Sequence, residues 1–219
     1  MSKIKTRYIC SNCGATASGW MGKCPECGAW DTMTEEVIQA KGPAVAAREA
    51  AGDKSIPTLL SEISMETEMR VEVGDPELER VLGGGVVPGS VILMAGEPGA
   101  GKSTLLLQMA ANQHLKMLYI SGEESATQIK MRAHRLGIKG ENCHILAETD
   151  LYKVISAITE IQAGIVIIDS IQTIYSPELE SVPGSVSQIR ECSYRLQQLS
   201  KQTGITIILV GHITKEGDI

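Results

Sequence analysis

The sequence predicts an α/β fold: a mainly parallel sheet with helices on both faces, preceded by a small four-cysteine module. Three observations predict it. From Ile56 onward, apolar runs of strand length alternate with stretches of helical periodicity. A glycine-rich G-x-x-x-x-G-K-S segment stands between one such run and one such helix. Two C-x-x-C pairs lie close together near the N-terminus. The 219 residues, 43% of them hydrophobic, allow one good-sized domain plus a small module and exclude a wholly disordered chain. With two Trp, five Tyr and no Phe, the core must be built from Ile, Val, Leu, Met and Ala. No apolar run approaches the ~18–20 residues that span a bilayer. Met1–Arg7 is polar and basic with no apolar stretch behind it, so no signal peptide is expected and a cytoplasmic location follows.

Residues 1–30 read as the first module. Cys10-Ser-Asn-Cys13 and Cys24-Pro-Glu-Cys27 are each followed by glycine, Gly14 and Gly28. Two thiolates two residues apart hold one side of a zinc ion, and the glycine lets the backbone turn back toward the sulfurs. Cys10, Cys13, Cys24 and Cys27 then complete a closed tetrahedral site, structural rather than catalytic because no coordination position stays open. So short a segment cannot bury a core, so the metal supplies its folding free energy. Two disulfides fit poorly with a cytoplasmic chain, and neither pair has the βαβ surroundings of a redox site. Trp20 and Trp30 are expected to pack over the metal, and Cys143 and Cys192 to be buried core thiols. This head carries Lys3, Lys5, Arg7 and Lys23 against Glu26, a net of +3 in a chain of net −6. That asymmetry points toward nucleic acid, though solvated surface lysines are the plainer account.

Residues 31–55, rich in Ala, Gly and Lys over Gln39–Ala51, read as a linker, helical in part. The second domain is 56–219. Met69–Val73 alternates like a strand. Pro76–Leu82 reads as a short helix closed by Gly83-Gly84-Gly85. Strands are expected at Ser90–Ala95, Met117–Ile120, Cys143–Leu146, Ile165–Ile168 and Ile205–Val210. Helices are expected at Ser103–His114, Ser125–Leu136, Tyr152–Gln162 and Ser185–Thr203.

The candidate phosphate loop is Gly96, Glu97, Pro98, Gly99, Ala100, Gly101, Lys102 and Ser103, with Thr104 behind it. Its glycines let backbone N–H groups converge on phosphates, and the helix that follows adds free donors and a favourable dipole. Lys102 would reach the β- and γ-phosphates of ATP, and Ser103 would hold Mg²⁺. A second carboxylate for the metal comes from Asp169, at the end of the apolar run Ile165–Ile168. Ligands of open α/β sheets gather at strand C-termini, so Asp169 belongs at the same edge as the loop. Standing alone, it would read as a helix cap. Hydrolysis also needs a group to position water. Ser121-Gly122-Glu123-Glu124-Ser125 places two carboxylates after another strand. Glu123 is nearer the strand end and is the first candidate, and the bland reading of both is helix-entry acids. His212 ends a further strand at this edge, as a γ-phosphate sensor or as a structural histidine.

With these residues in view, the chain resembles the RadA (Sms) family of bacterial DNA-repair proteins, which are RecA-like P-loop ATPases. The matching stretches are Cys10–Trp30, Val81–Ser90, Gly96–Leu107, Gly122–Ser125, Met131–Leu136, Ile168–Ile171, Pro183–Glu191 and Val210–Lys215. They span nearly the whole chain apart from the linker and Glu141–Gly164. The resemblance implies a RecA-like ATPase core that translocates on single-stranded or branched DNA and promotes branch migration. It implies a homo-hexameric ring and a RecA-type recombinase as partner. It matches Glu123 to the catalytic glutamate and His212 to the switch residue. It also implies a Lys-Asn-Arg-Phe-Gly motif and a Lon-like domain further along, which this sequence does not contain. Loops facing the ring's channel would be Ser176–Ser187 and Thr214 onward. Arg190 and Arg195, with Lys201, would neutralise DNA phosphates or serve as surface and subunit-contact residues. Tyr175 and Tyr194 read as packing residues more than as stacking ones. Two further readings compete: a signalling ATPase or autokinase of the clock-protein type, and a nucleotide-switched zinc adaptor.

Overall fold

The computed structural model describes residues 5–38, 57, 59–62, 70–111 and 116–212, and the chain divides into two units between Glu68 and Met69. Residues 39–55 of the expected linker, Met69 of the expected strand and the expected channel loop from Thr214 lie outside the described residues.

In the first unit, β1 (Lys5–Cys10) pairs antiparallel with both β2 (Thr16–Ala17) and β3 (Met33–Ile38). β3 falls inside 31–55, the segment read above as linker. Its register, with Cys10 opposite Met33 and Tyr8 opposite Glu35, makes it part of the ribbon. Including β3 gives the ribbon Asp31, Glu35 and Glu36 besides Glu26, so its four basic and four acidic residues cancel. The net of +3 was a product of stopping at Trp30. Met33, not tryptophan, closes the small core with Cys10 and Cys24, against Tyr8, Cys13, Ala15 and Ala17. The expected packing of tryptophans over the site is therefore corrected. Trp20 is 60% exposed and Trp30 73% exposed, and the Lys23 ammonium lies 5.6 Å from the Trp30 ring centre.

The second unit starts with α1 (Pro76–Leu82), which has the bounds its sequence predicts. The Asp75 side chain accepts from the Leu78 N–H at 2.8 Å, Pro76 sits in the first turn, and Gly83 closes the helix in the left-handed region. The expected strand at Met69–Val73 is reduced to one bridge, Val71 to Val86. Its polar groups go elsewhere. The Val73 and Gly74 N–H groups donate to Glu79, and the Arg70 guanidinium donates to Leu82 O and Gly85 O.

Five parallel strands follow: β4 (Val91–Gly96), β5 (Met117–Ser121), β6 (Cys143–Ala147), β7 (Ile165–Asp169) and β8 (Thr206–His212). Their order across the sheet is β4-β8-β7-β5-β6. The helices α2 (Lys102–Ala111), α3 (Ala126–Arg135), α4 (Leu151–Ile161) and α5 (Val186–Thr203) make the crossovers. From β4 the chain moves outward to β5 and β6, then turns back to β7 and β8. Right-handed crossovers put helices on opposite faces when the direction reverses. Accordingly Leu106, Leu107 and Met109 of α2 and Ile129 of α3 share one core with Leu78 and Leu82 of α1. Val154 and Ile158 of α4 share the other with Cys192 and Leu196 of α5. β7 alternates between them: Ile165 and Ile167 face the first core, Val166 and Ile168 the second. Strands buried on both faces read as continuous apolar runs, which is why these were legible. Each fully buried Ile or Leu contributes about 1.5–3 kcal/mol. Cys192 is wholly buried and Cys143 partly so, and burial pushes their thiols up to about 12 and about 11.

Candidate active site and metal centre

Strand order and register bring the sequence-predicted residues to one edge. Gly96, the last residue of β4, pairs with His212, the last of β8. Ser121, the last of β5, pairs with Asp169, the last of β7. The phosphate loop, His212, Asp169 and Glu123 therefore issue from the C-terminal ends of four neighbouring strands.

The loop bends at Gly99 and Gly101, both at positive φ, 80° and 87°, a region open to glycine at no steric cost. Glu97, Pro98, Gly99 and Ala100 are exposed, while Ser103 and Thr104 are half-buried in the first turn of α2. The N–H groups of that turn have no intrahelical acceptor. Lys102 is buried, and its ammonium donates to Gly96 O at 2.7 Å and Glu97 O at 2.8 Å. An ammonium has three donors, so one remains for a phosphate held in the loop's arc. Ser103 and Asp169 offer a hydroxyl and a carboxylate, the hard oxygen donors that suit Mg²⁺.

The adjacent carboxylates part company. Glu123 is 60% exposed. Its Oε1 accepts from the buried Ser170 hydroxyl at 3.1 Å and lies 3.8 Å from His212 Nε2. Glu124 turns the other way. Its N–H donates to Ser121 Oγ at 3.0 Å, and its carboxylate meets the Arg132 guanidinium of α3 at 2.8 Å. Gly122 permits this divergence. Its N–H donates to Asp169 O at 3.1 Å, and a Cβ there would overlap Thr173 Oγ1 and Cβ. Gln172, next to Thr173, donates to His212 O at 3.2 Å.

Sequence reasoning missed two residues. Tyr119 of β5 donates its hydroxyl to Asp169 Oδ2, and Arg132 Nη2 approaches the same hydroxyl at 3.4 Å. Burial, and then the Asp169 carboxylate, push the phenol far above its usual range, so it acts as a donor. A hydroxyl-bearing aromatic in a buried aliphatic strand was the available signal, because such a group needs a partner.

The candidate DNA contacts are placed less favourably. Arg195 Nε donates to Glu191 at 2.7 Å, and its Nη2 meets Glu178 at 3.1 Å. It ties the segment before α5 to the helix. Arg190 and Lys201 are exposed along α5.

In the first unit, Cys10 Sγ lies 3.7 Å from Cys27 Sγ, and Cys13 Sγ lies 3.6 Å from Cys24 Sγ. All four sulfurs fall within 4.8 Å of one another. Zinc–sulfur bonds of about 2.3 Å at tetrahedral angles separate sulfurs by about 3.8 Å, so the residues fit zinc. The two knuckles repeat each other. Gly14 N–H donates to Cys10 O at 2.8 Å and Gly28 N–H to Cys24 O at 3.0 Å, with φ of 73° and 72°.

Comparison with known proteins follows the same division. A family model described as an AAA domain matches residues 60–218, and a rubredoxin metal binding domain matches residues 8–35. The chain is 50% identical to a DNA repair protein RadA of Bacillus subtilis, over all of this chain and 49% of the relative. It is 45% identical to that of Escherichia coli K12 and 44% identical to that of Pseudomonas aeruginosa, over 98% and 99% of this chain and 48% of each relative. The chain thus spans about half the length of the curated relatives it matches, consistent with their N-terminal part. A crystal structure of a KaiC-like protein from Pyrococcus horikoshii matches with a TM-score of 0.58 at 22% identity, over 69% of this chain and 74% of that one. The fold is a RecA-like ATPase core, preceded in the sequence by a zinc ribbon. No described helix is long and apolar enough to cross a membrane.

Proposed function

The chain belongs to the AAA-domain family, and from that premise we propose an ATP hydrolase that acts on DNA in repair and recombination. One observation carries the reading: four parallel strand ends bring Lys102, Asp169, Glu123 and His212 to one edge. Lys102 and the loop N–H groups bind the phosphates. Ser103 and Asp169 would hold Mg²⁺, which would supply positive charge against the charge that develops on the phosphate in the reaction. Glu123, held by Ser170 and open to solvent, accepts the proton of the attacking water. His212, beside Gly96 and Glu123, reports the γ-phosphate to its own strand end. From there Gln172 connects to the segment leading into α5.

The finer claims rest on resemblance. The relatives are DNA repair proteins, which supports DNA as partner. Stimulation of turnover by DNA, branch migration beside a RecA-type recombinase and a hexameric ring are what the family resemblance implies. The clock-type alternative shares only the fold. The test is ATP turnover with and without single-stranded DNA. We expect DNA to raise the rate and Lys102→Ala to abolish it while binding ATP weakly. A DNA-insensitive rate would favour the signalling reading. A Lys102→Ala protein that turns over normally would remove Gly96–Ser103 from the reaction.

A further inference from the structure

The metal carboxylate has a supporting chain of its own. Tyr119 is fully buried in the core below the site, within the same cluster as Ile129 and Ala133 of α3. Its hydroxyl donates to Asp169 Oδ2, at the end of β7. Behind it stands Arg132, 16% exposed, with Nη2 3.4 Å from the phenol oxygen and 2.8 Å from Glu124 Oε2. We propose that Tyr119 and Arg132 are positioning residues that aim Asp169 at the catalytic metal. The proposal rests on the ATPase reading above, because Asp169 has a metal to hold only if the loop holds a nucleotide.

The arrangement has a physical logic. An aspartate after a strand end turns freely about its terminal torsion, and a metal ligand must not. A phenol bonded to Oδ2 stops that rotation and leaves Oδ1 for the ion. The anchor is neutral. A guanidinium placed directly on Asp169 would cancel the charge that attracts the cation, and here Arg132 spends its charge on Glu124. Arg132 therefore ties two strand ends together: β5 through Glu124 and β7 through the phenol and Asp169. Glu124 becomes part of the support rather than a rival of Glu123. The competing account is that Asp169 merely satisfies a buried hydroxyl. The two accounts differ in whether the metal feels its loss.

The experiment titrates Mg²⁺ against binding of a fluorescent ATP analogue, so that it does not depend on turnover. Parent, Tyr119→Phe and Arg132→Gln are compared, each also in excess chelator, with thermal melting to confirm folding. Support for metal ligands commonly changes metal affinity by about 10–100-fold. We expect Tyr119→Phe to bind the analogue like the parent in chelator but to need roughly 10-fold more Mg²⁺ for the metal-dependent gain. Arg132→Gln, which leaves the ring in place, should shift in the same direction by less. A parental Mg²⁺ requirement in a folded Tyr119→Phe protein overturns the proposal. If that variant does not fold, a parental requirement in Arg132→Gln does so. A parent that binds no nucleotide, or a Lys102→Ala protein that binds as tightly as the parent, brings down the ATPase reading instead, and this proposal with it.

Discussion

Glu123 and Glu124 are neighbours with the same side chain and different surroundings. Glu123 meets a hydroxyl and an imidazole at the edge where the strands end, while Glu124 meets a guanidinium on α3. Glu123→Gln keeps shape and hydrogen bonding but loses most basicity. It should bind ATP with Mg²⁺ like the parent and hydrolyse it at least ~100-fold more slowly in single turnover. Glu124→Gln should slow hydrolysis by less than ~10-fold, because Glu124 faces Arg132 rather than Ser170 and His212, and the amide oxygen can still accept from the guanidinium. If Glu124→Gln is the dead variant, the assignment is reversed. The sequence favoured Glu123 through its place nearer the strand end, after Gly122, and through the family resemblance. The reason for the divergence, Arg132, lies on the next helix and could not be seen in spacing.

Elements whose hydrogen bonds are local were legible. α1 has its cap residue, its proline and its terminating glycine all in adjacent positions, and its bounds followed. β5, β7 and β8 are apolar on both faces because helices cover both. β3 escaped because Met-Thr-Glu-Glu-Val-Ile is polar, and its partner β1 lies more than twenty residues back. The expected strand at Met69–Val73 keeps only the Val71–Val86 bridge, and the N–H groups of Val73 and the next residue, Gly74, turn to Glu79 of α1. The junction after β5 shows how tightly an element end is specified. Gly122 sits so close to Thr173 that any Cβ overlaps it. Gly122→Ala must therefore push the end of β5 away from the turn after β7 that carries Thr173. We expect a loss of about 1–3 kcal/mol in denaturant unfolding, the usual cost of overpacking. We also expect a larger fall in kcat than in ATP affinity, since Glu123 moves and the phosphate loop does not. Pairing Gly122→Ala with Thr173→Gly should recover much of both. Failure of that rescue would place the strain elsewhere.

At the scale of the whole molecule, two kinds of stability lie on one chain. The second unit buries two aliphatic cores against a five-stranded sheet. The ribbon buries little more than Cys10, Cys24 and Met33, far less than a fold of its size needs without help. The paired C-x-x-C spacing made its four-cysteine cluster legible. Its true extent and its neutral charge were not, since both depend on β3. Zinc affinity is folding free energy in such modules, about 10–16 kcal/mol at neutral pH in comparable small domains. Removing the metal should therefore unfold residues 5–38 as a unit. The purified protein should release close to one equivalent of zinc when its thiols are modified. Cys24→Ala, which removes a buried ligand, should release none. Calorimetry should then show the transition of the sheet unit near its original temperature, because its cores contain none of the four cysteines. The amide spectrum of Lys5–Ile38 should collapse in the same sample. A metal-free protein that keeps dispersed amide signals over those residues would mean that Met33 and its neighbours hold the ribbon unaided. The geometry of the four sulfurs would then need another cause.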